Sequence, residues 1–85
     1  MTITQGLHGF KSVEQARAIA NILGHMSQSD GYSEDEQRLA VRLAERIDRL
    51  IIRGAILTEY VAYSPIQEEV LMEAFDIYME ANNND

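Results

Sequence analysis

The stretch SEDEQRLAVRLAERIDRLIIRGAILTEYVAY, residues 33–63, decides how this chain folds. Its seam positions run Leu39, Leu43, Ile47, Leu50, Gly54, Leu57 and Val61, and after the first step the intervals alternate three and four. That heptad spacing keeps one face of a helix turned toward a partner helix. Arg38, Arg42, Arg46, Arg49 and Arg53 each stand one position before a seam residue, so five of the seven basic residues form one stripe beside the apolar seam. The phase is unbroken at Gly54. It predicts a single helix running to Tyr63, with Gly54 at a close crossing or a bend. The competing reading ends the helix at Gly54 in a left-handed cap, followed by a loop or short strand.

Toward the N-terminus, Ser33 and Glu36 form a capping box, and Glu34, Asp35 and Glu36 place negative charge where the helix dipole favours it. The turn before it is punctuated by Asp30-Gly31. A calcium loop centred on Gly31 is excluded, because Met26 would stand at a ligand position and Gln37 at the closing carboxylate position. The run Ser29-Asp30-Gly31-Tyr32-Ser33-Glu34-Asp35-Glu36, set between two apolar helices, resembles the helix junction of TerB-type tellurite-resistance domains. That likeness implies no more than two helices joined by a turn.

A first helix is predicted from Ser12, which pairs with Gln15 as a second capping box. Val13, Ala16, Ala20 and Leu23 form its stripe, widened by Ile19, Ile22 and Met26. His25 near its end suits the dipole and is not read as a metal ligand, since the chain has no cysteine and one other histidine. Residues 1–11 read as an arm in which Leu7 and Phe10 can tuck against the core and His8 is a surface side chain. Beyond Tyr63, Ser64-Pro65 with Gln67 starts a third helix that runs to Glu80 or Ala81. Its apolar face is Ile66, Val70, Leu71, Ala74, Phe75, Ile77, Tyr78 and Ala81. Residues 82–85 read as a frayed tail.

The fold expected is therefore all-α: one domain spanning residues 1–85, a small three-helix bundle with one long central helix. A chain of 85 residues without disulfides gains stability from a partner subunit, so a homo-oligomer is expected. No apolar run reaches membrane-span length and no secretion leader is visible, which makes a cytoplasmic protein the expectation. The net charge of −7 repels bare nucleic acid and anionic lipid, so neither is expected as a direct partner.

Charge also organises the third helix. Residues 64–85 carry six acids and no base, and Glu69, Glu73, Asp76 and Glu80 follow one another at helical spacing as a continuous acidic stripe. If the second and third helices pack antiparallel, Arg53 lies near the start of that stripe and Arg38 near its end, within one chain or between two. If the acidic stripe is free, its carboxylates recur about every 5–6 Å along the helix, close to the spacing of phosphates on a nucleic-acid strand. Such a helix fits a basic groove built for nucleic acid. The function expected is accordingly a non-enzymatic acidic regulator that blocks a larger protein with a basic surface, of the kind frequent among phage and mobile-element products. Its partner-binding residues would be Glu69, Glu73, Asp76 and Glu80. The alternative is a homo-oligomeric scaffold or a phosphate or nucleotide module that uses Arg38, Arg42, Arg46, Arg49 and Arg53. No catalytic residue, cofactor or metal is assigned: there is no cysteine nucleophile, glycine-rich phosphate loop, His-Glu-x-x-His or Cys/His cluster. Tyr60, Tyr63 and Tyr78 read as core or rim residues, with a partner hot spot as the alternative.

Overall fold

The computed structural model describes residues 7–82. Three helices, α1 (Val13–Met26), α2 (Glu34–Arg53) and α3 (Pro65–Ala81), pack together, and no strand occurs among the described residues. Residues 1–6 of the expected arm and residues 83–85 of the expected tail lie outside the described residues.

Side chains close each helix start. Ser12 Oγ accepts the Gln15 N–H at 3.1 Å and Ser64 Oγ accepts the Gln67 N–H at 3.2 Å. In both cases the glutamine reaches back one residue further than a capping box requires, taking the Lys11 N–H (2.6 Å) and the Tyr63 N–H (2.7 Å). At Ser33 the box is complete and reciprocal with Glu36. These bonds satisfy amides that the first helical turn leaves without partners.

The long helix ends earlier than its seam implied. Gly54 adopts φ 74°, ψ 24°, the left-handed conformation. Its N–H bonds to the Ile51 carbonyl (3.0 Å) and the Ala55 N–H bonds to the Leu50 carbonyl (2.8 Å), the pair that defines a Schellman ending. The expectation of one helix through Tyr63 is thus corrected. Gly54 keeps phase with the seam, but a residue with no Cβ makes a left-handed stop nearly free of steric cost. Ile56, Val61 and Ala62 still return to the core, as a non-helical segment that turns the chain back. A Cβ at Gly54 would meet nothing within 4 Å, so Gly54→Ala carries only the backbone penalty. Urea unfolding of that variant is expected to show a loss of about 1 kcal/mol. An unchanged midpoint would mean the helix does not end in this conformation.

The core is built from Ala16, Ile19, Ala20, Leu23 and Met26 of α1, Ala40, Leu43, Ile47 and Leu50 of α2, and Val70, Leu71, Ala74 and Phe75 of α3. On α2 the buried row starts at Ala40 rather than Leu39, which is only partly buried. Val13 and Ile66, expected on the inner faces, are 40% and 61% exposed. α1 has its widest contact with α2 and also covers α3, as suits its small residues.

The segment before α1 also differs from its reading as an arm carrying a surface histidine. Gly9 at φ 90° turns the chain, and Phe10 enters the core at 0% exposure, its ring 5.1 Å from that of Phe75. Leu7 stays 48% exposed. The His8 side chain is 5% exposed. Its Nδ1 accepts the Val61 N–H at 3.2 Å, and its ring meets Tyr60 edge-on with centroids 5.2 Å apart. Nε2 sits 3.1 Å from Glu68 Oε1 but is not aligned to donate to it. His8 is therefore a packed bridge between the N-terminal segment, the return segment and α3.

Candidate functional site

The early end of α2 sets where the two charge stripes fall. Because residues 54–64 fold back, α3 does not start opposite Arg53. It starts beside the middle of α2: the Arg46 guanidinium donates to the Val61 carbonyl and lies 4.7 Å over the Tyr63 ring. The second and third turns of α3 then reach the start of α2. Glu36, Glu69 and Glu73 line one groove of about 360 Å³ together with Met26, Gly31, Tyr32, Ile66 and Val70. The register in which Arg53 faces the first acids and Arg38 the last is therefore not formed within the chain. Glu69 meets carboxylates instead.

The arginines find other partners. Arg38 Nη2 lies 3.4 Å from Asp35 Oδ1 and 4.0 Å from Glu34 Oε1, both on its own helix. Arg53 Nη2 pairs with Glu59 Oε2 at 2.9 Å, across the Gly54 turn. Arg46 ties down the return segment. Among the described residues, Arg42 and Arg49 make no ion pair or side-chain hydrogen bond, and they share a shallow depression with Glu45 and Arg46. The stripe read from the sequence thus divides into three residues with partners and two that remain available.

The acidic stripe is entirely on the surface. Glu69, Glu73, Asp76 and Glu80 are exposed, and the one hydrogen bond their side chains make among the described residues is from the Tyr32 hydroxyl to Glu73 Oε2, at 3.2 Å. Partial burial, that hydrogen bond, and the charges of Glu73 and Glu36 push the Tyr32 hydroxyl above its ordinary value. Its proton is held at neutral pH, which keeps Tyr32 a donor. Two exposed methionines, Met72 (50%) and Met79 (58%), border the acids on one side, and Ile66 (61%) stands on the other. Sequence reasoning identified the four acids but not their extension by Glu36 or the flanking methionines. A helical wheel of α3 would have shown the methionines; the meeting with Glu36 depends on where α2 ends.

Among the described residues no group of three His, Cys, Asp or Glu side chains could hold a metal ion. No described helix is long and apolar enough to cross a membrane. His25 is exposed in the last turn of α1. Tyr60 and Tyr63 are 51% and 66% exposed, on the rim rather than in the core, whereas Tyr78 is partly buried. Comparison with protein-family models, with curated proteins and with solved structures returns no match.

Proposed function

We propose that this protein is a small, non-enzymatic, cytoplasmic regulator that binds a larger protein through the outer face of α3 and blocks a basic surface of it. One observation carries the reading: the chain's own arginines leave the acidic stripe unpaired, and Glu36 extends it. A run of exposed carboxylates on one rigid helix raises the local negative potential and steers a basic partner toward it. The groove beside Glu69 and Glu73 has apolar walls and a carboxylate rim, a suitable receptacle for the stem and head of a lysine or arginine. The basic surface that best matches carboxylates repeating at helical pitch is one that binds nucleic acid, as in an inhibitor from a phage or mobile element. The phosphate-module alternative is disfavoured, since Arg38, Arg46 and Arg53 already have partners and Glu45 dilutes the rest.

The test is capture from host lysate with and without nuclease, using the native chain and the neutralised variant Glu69→Gln/Glu73→Gln/Asp76→Asn. A nucleic-acid enzyme retained after nuclease is expected, with affinity that falls as salt rises and drops roughly tenfold or more in the variant, since each exposed charge contact contributes about 0–1 kcal/mol. Equal affinity and equal salt dependence for the two proteins would refute the role of the stripe.

A further inference from the structure

We propose that the outer face of α3 is covered, in the absence of a target, by α2 of a second copy of this chain, docked antiparallel in a two-fold pair. The inference rests on the reading above only in assigning the resting occupant of the same acidic face.

Two helix faces carry charged pairs of equal spacing, each with exposed apolar residues on one flank. On α3, Glu69 and Asp76 stand one heptad apart and are flanked by Met72 and Met79, also one heptad apart. On α2, the two available arginines, Arg42 and Arg49, again stand one heptad apart, flanked by exposed Val41 (41%) and Ile52 (84%). Equal spacing lets both charged pairs meet in one register. The order of the flanks fixes the direction. With about 100° of turn per residue, the apolar pair precedes the charged pair in the same rotational sense on both helices. Facing helices that share this order match apolar to apolar and charge to charge only when they run antiparallel. Arg42 then falls near Asp76, Arg49 near Glu69, and Val41 near Met79. Glu45, on the same side of α2, opposes the docking and lies between the arginines that outweigh it.

α2 and α3 adjoin within the chain. Arg46 reaches Val61 and Tyr63 just ahead of α3, and Glu36 shares its groove with Glu69 and Glu73. Closed by a two-fold axis, the pair sets α2 of each copy on α3 of the other, so the contact is self-complementary and ends as a dimer rather than a filament. Partner binding and self-pairing use the same carboxylates and exclude one another.

Sedimentation equilibrium of the purified chain tests this without any partner. The wild type is expected to be a dimer at micromolar to millimolar concentration. Arg42→Glu/Arg49→Glu makes both faces acidic, and Glu69→Arg/Asp76→Arg makes both basic. Each is expected to be monomeric with unchanged helical circular dichroism, since all four positions are exposed. Mixed in equal amounts, the two are expected to restore the dimer mass, because both docking faces are again opposite in charge. Met72→Gln/Met79→Gln provides a variant of unchanged charge, expected to weaken the dimer by at least threefold. A monomeric wild type overturns the inference, as do dimers that survive charge reversal or a mixture that stays monomeric. Those results leave target capture as a separate question, and loss of capture leaves the dimer standing.

Discussion

Phe10→Ala is expected to remove about half or more of the protein's folding free energy. A buried phenylalanine truncated to alanine costs about 3–5 kcal/mol through lost transfer energy and the cavity left behind. Small domains of this size have a total on the order of 5–10 kcal/mol. Phe10 is 0% exposed and packs on Phe75, with the rings tilted at 43°. The core it belongs to includes the short side chains Ala16 and Ala20 of α1, which cannot reach into a space of phenylalanine size. Thermal and urea unfolding should both show the loss. Leu7→Ala, three residues away and 48% exposed, provides the control and is expected to change stability by no more than about 0.5 kcal/mol. If the two variants behaved alike, the N-terminal segment would be an appendage rather than part of the core.

That contrast also marks how far the sequence could be read. The starts of α1, α2 and α3 were legible because a serine with a glutamine or glutamate three residues on is a local signal, and it sits at all three N-termini. The inner faces were mostly legible from spacing. The end of α2 was not, since Gly54 satisfies two readings at once. Its position extends the heptad, while its missing Cβ permits the left-handed stop, and periodicity reports only the first. Val61 shows the same limit: it is buried, as the seam predicted, but it arrives there on a returning loop. The error at Gly54 then propagated to the site. Antiparallel packing of a long α2 on α3 sets Arg53 near the start of the acidic stripe; a chain that turns back at Gly54 places the start of α3 near Arg46 and brings Glu69 beside Glu36. The four acids themselves were visible as a pattern, whereas what they face depended on a single backbone conformation. His8 carried no signal beyond the glycines around it, because its role is set by Val61, far away in sequence.

Val61 is also where the second large effect is expected. Its segment belongs to no helix or strand, so its backbone groups need partners from elsewhere. The N–H is taken by His8 Nδ1 and the carbonyl by the Arg46 guanidinium, one from the N-terminal segment and one from α2. Val61 itself is 0% exposed, so water does not replace either partner without local opening. His8→Ala strands the N–H and empties the space of a side chain that is 5% exposed; a loss of about 2–3 kcal/mol is expected. Arg46→Ala strands the carbonyl and removes the stacking on Tyr63, with an expected loss of about 1.5–3 kcal/mol. The two losses should not add. Once either partner is gone, the return segment is free to open and solvate the other group, so the double variant is expected to fall short of the sum by about 1 kcal/mol. Hydrogen exchange at the Val61 amide should rise in both single variants, although Arg46 does not touch that amide. Strict additivity, or an Arg46 variant with full protection at Val61, would show that the two side chains hold the segment independently. Coupling would instead establish residues 54–64 as one cooperative unit, clamped between an N-terminal histidine and a mid-helix arginine. It would also explain why Arg46 is the arginine of the stripe least available to any partner.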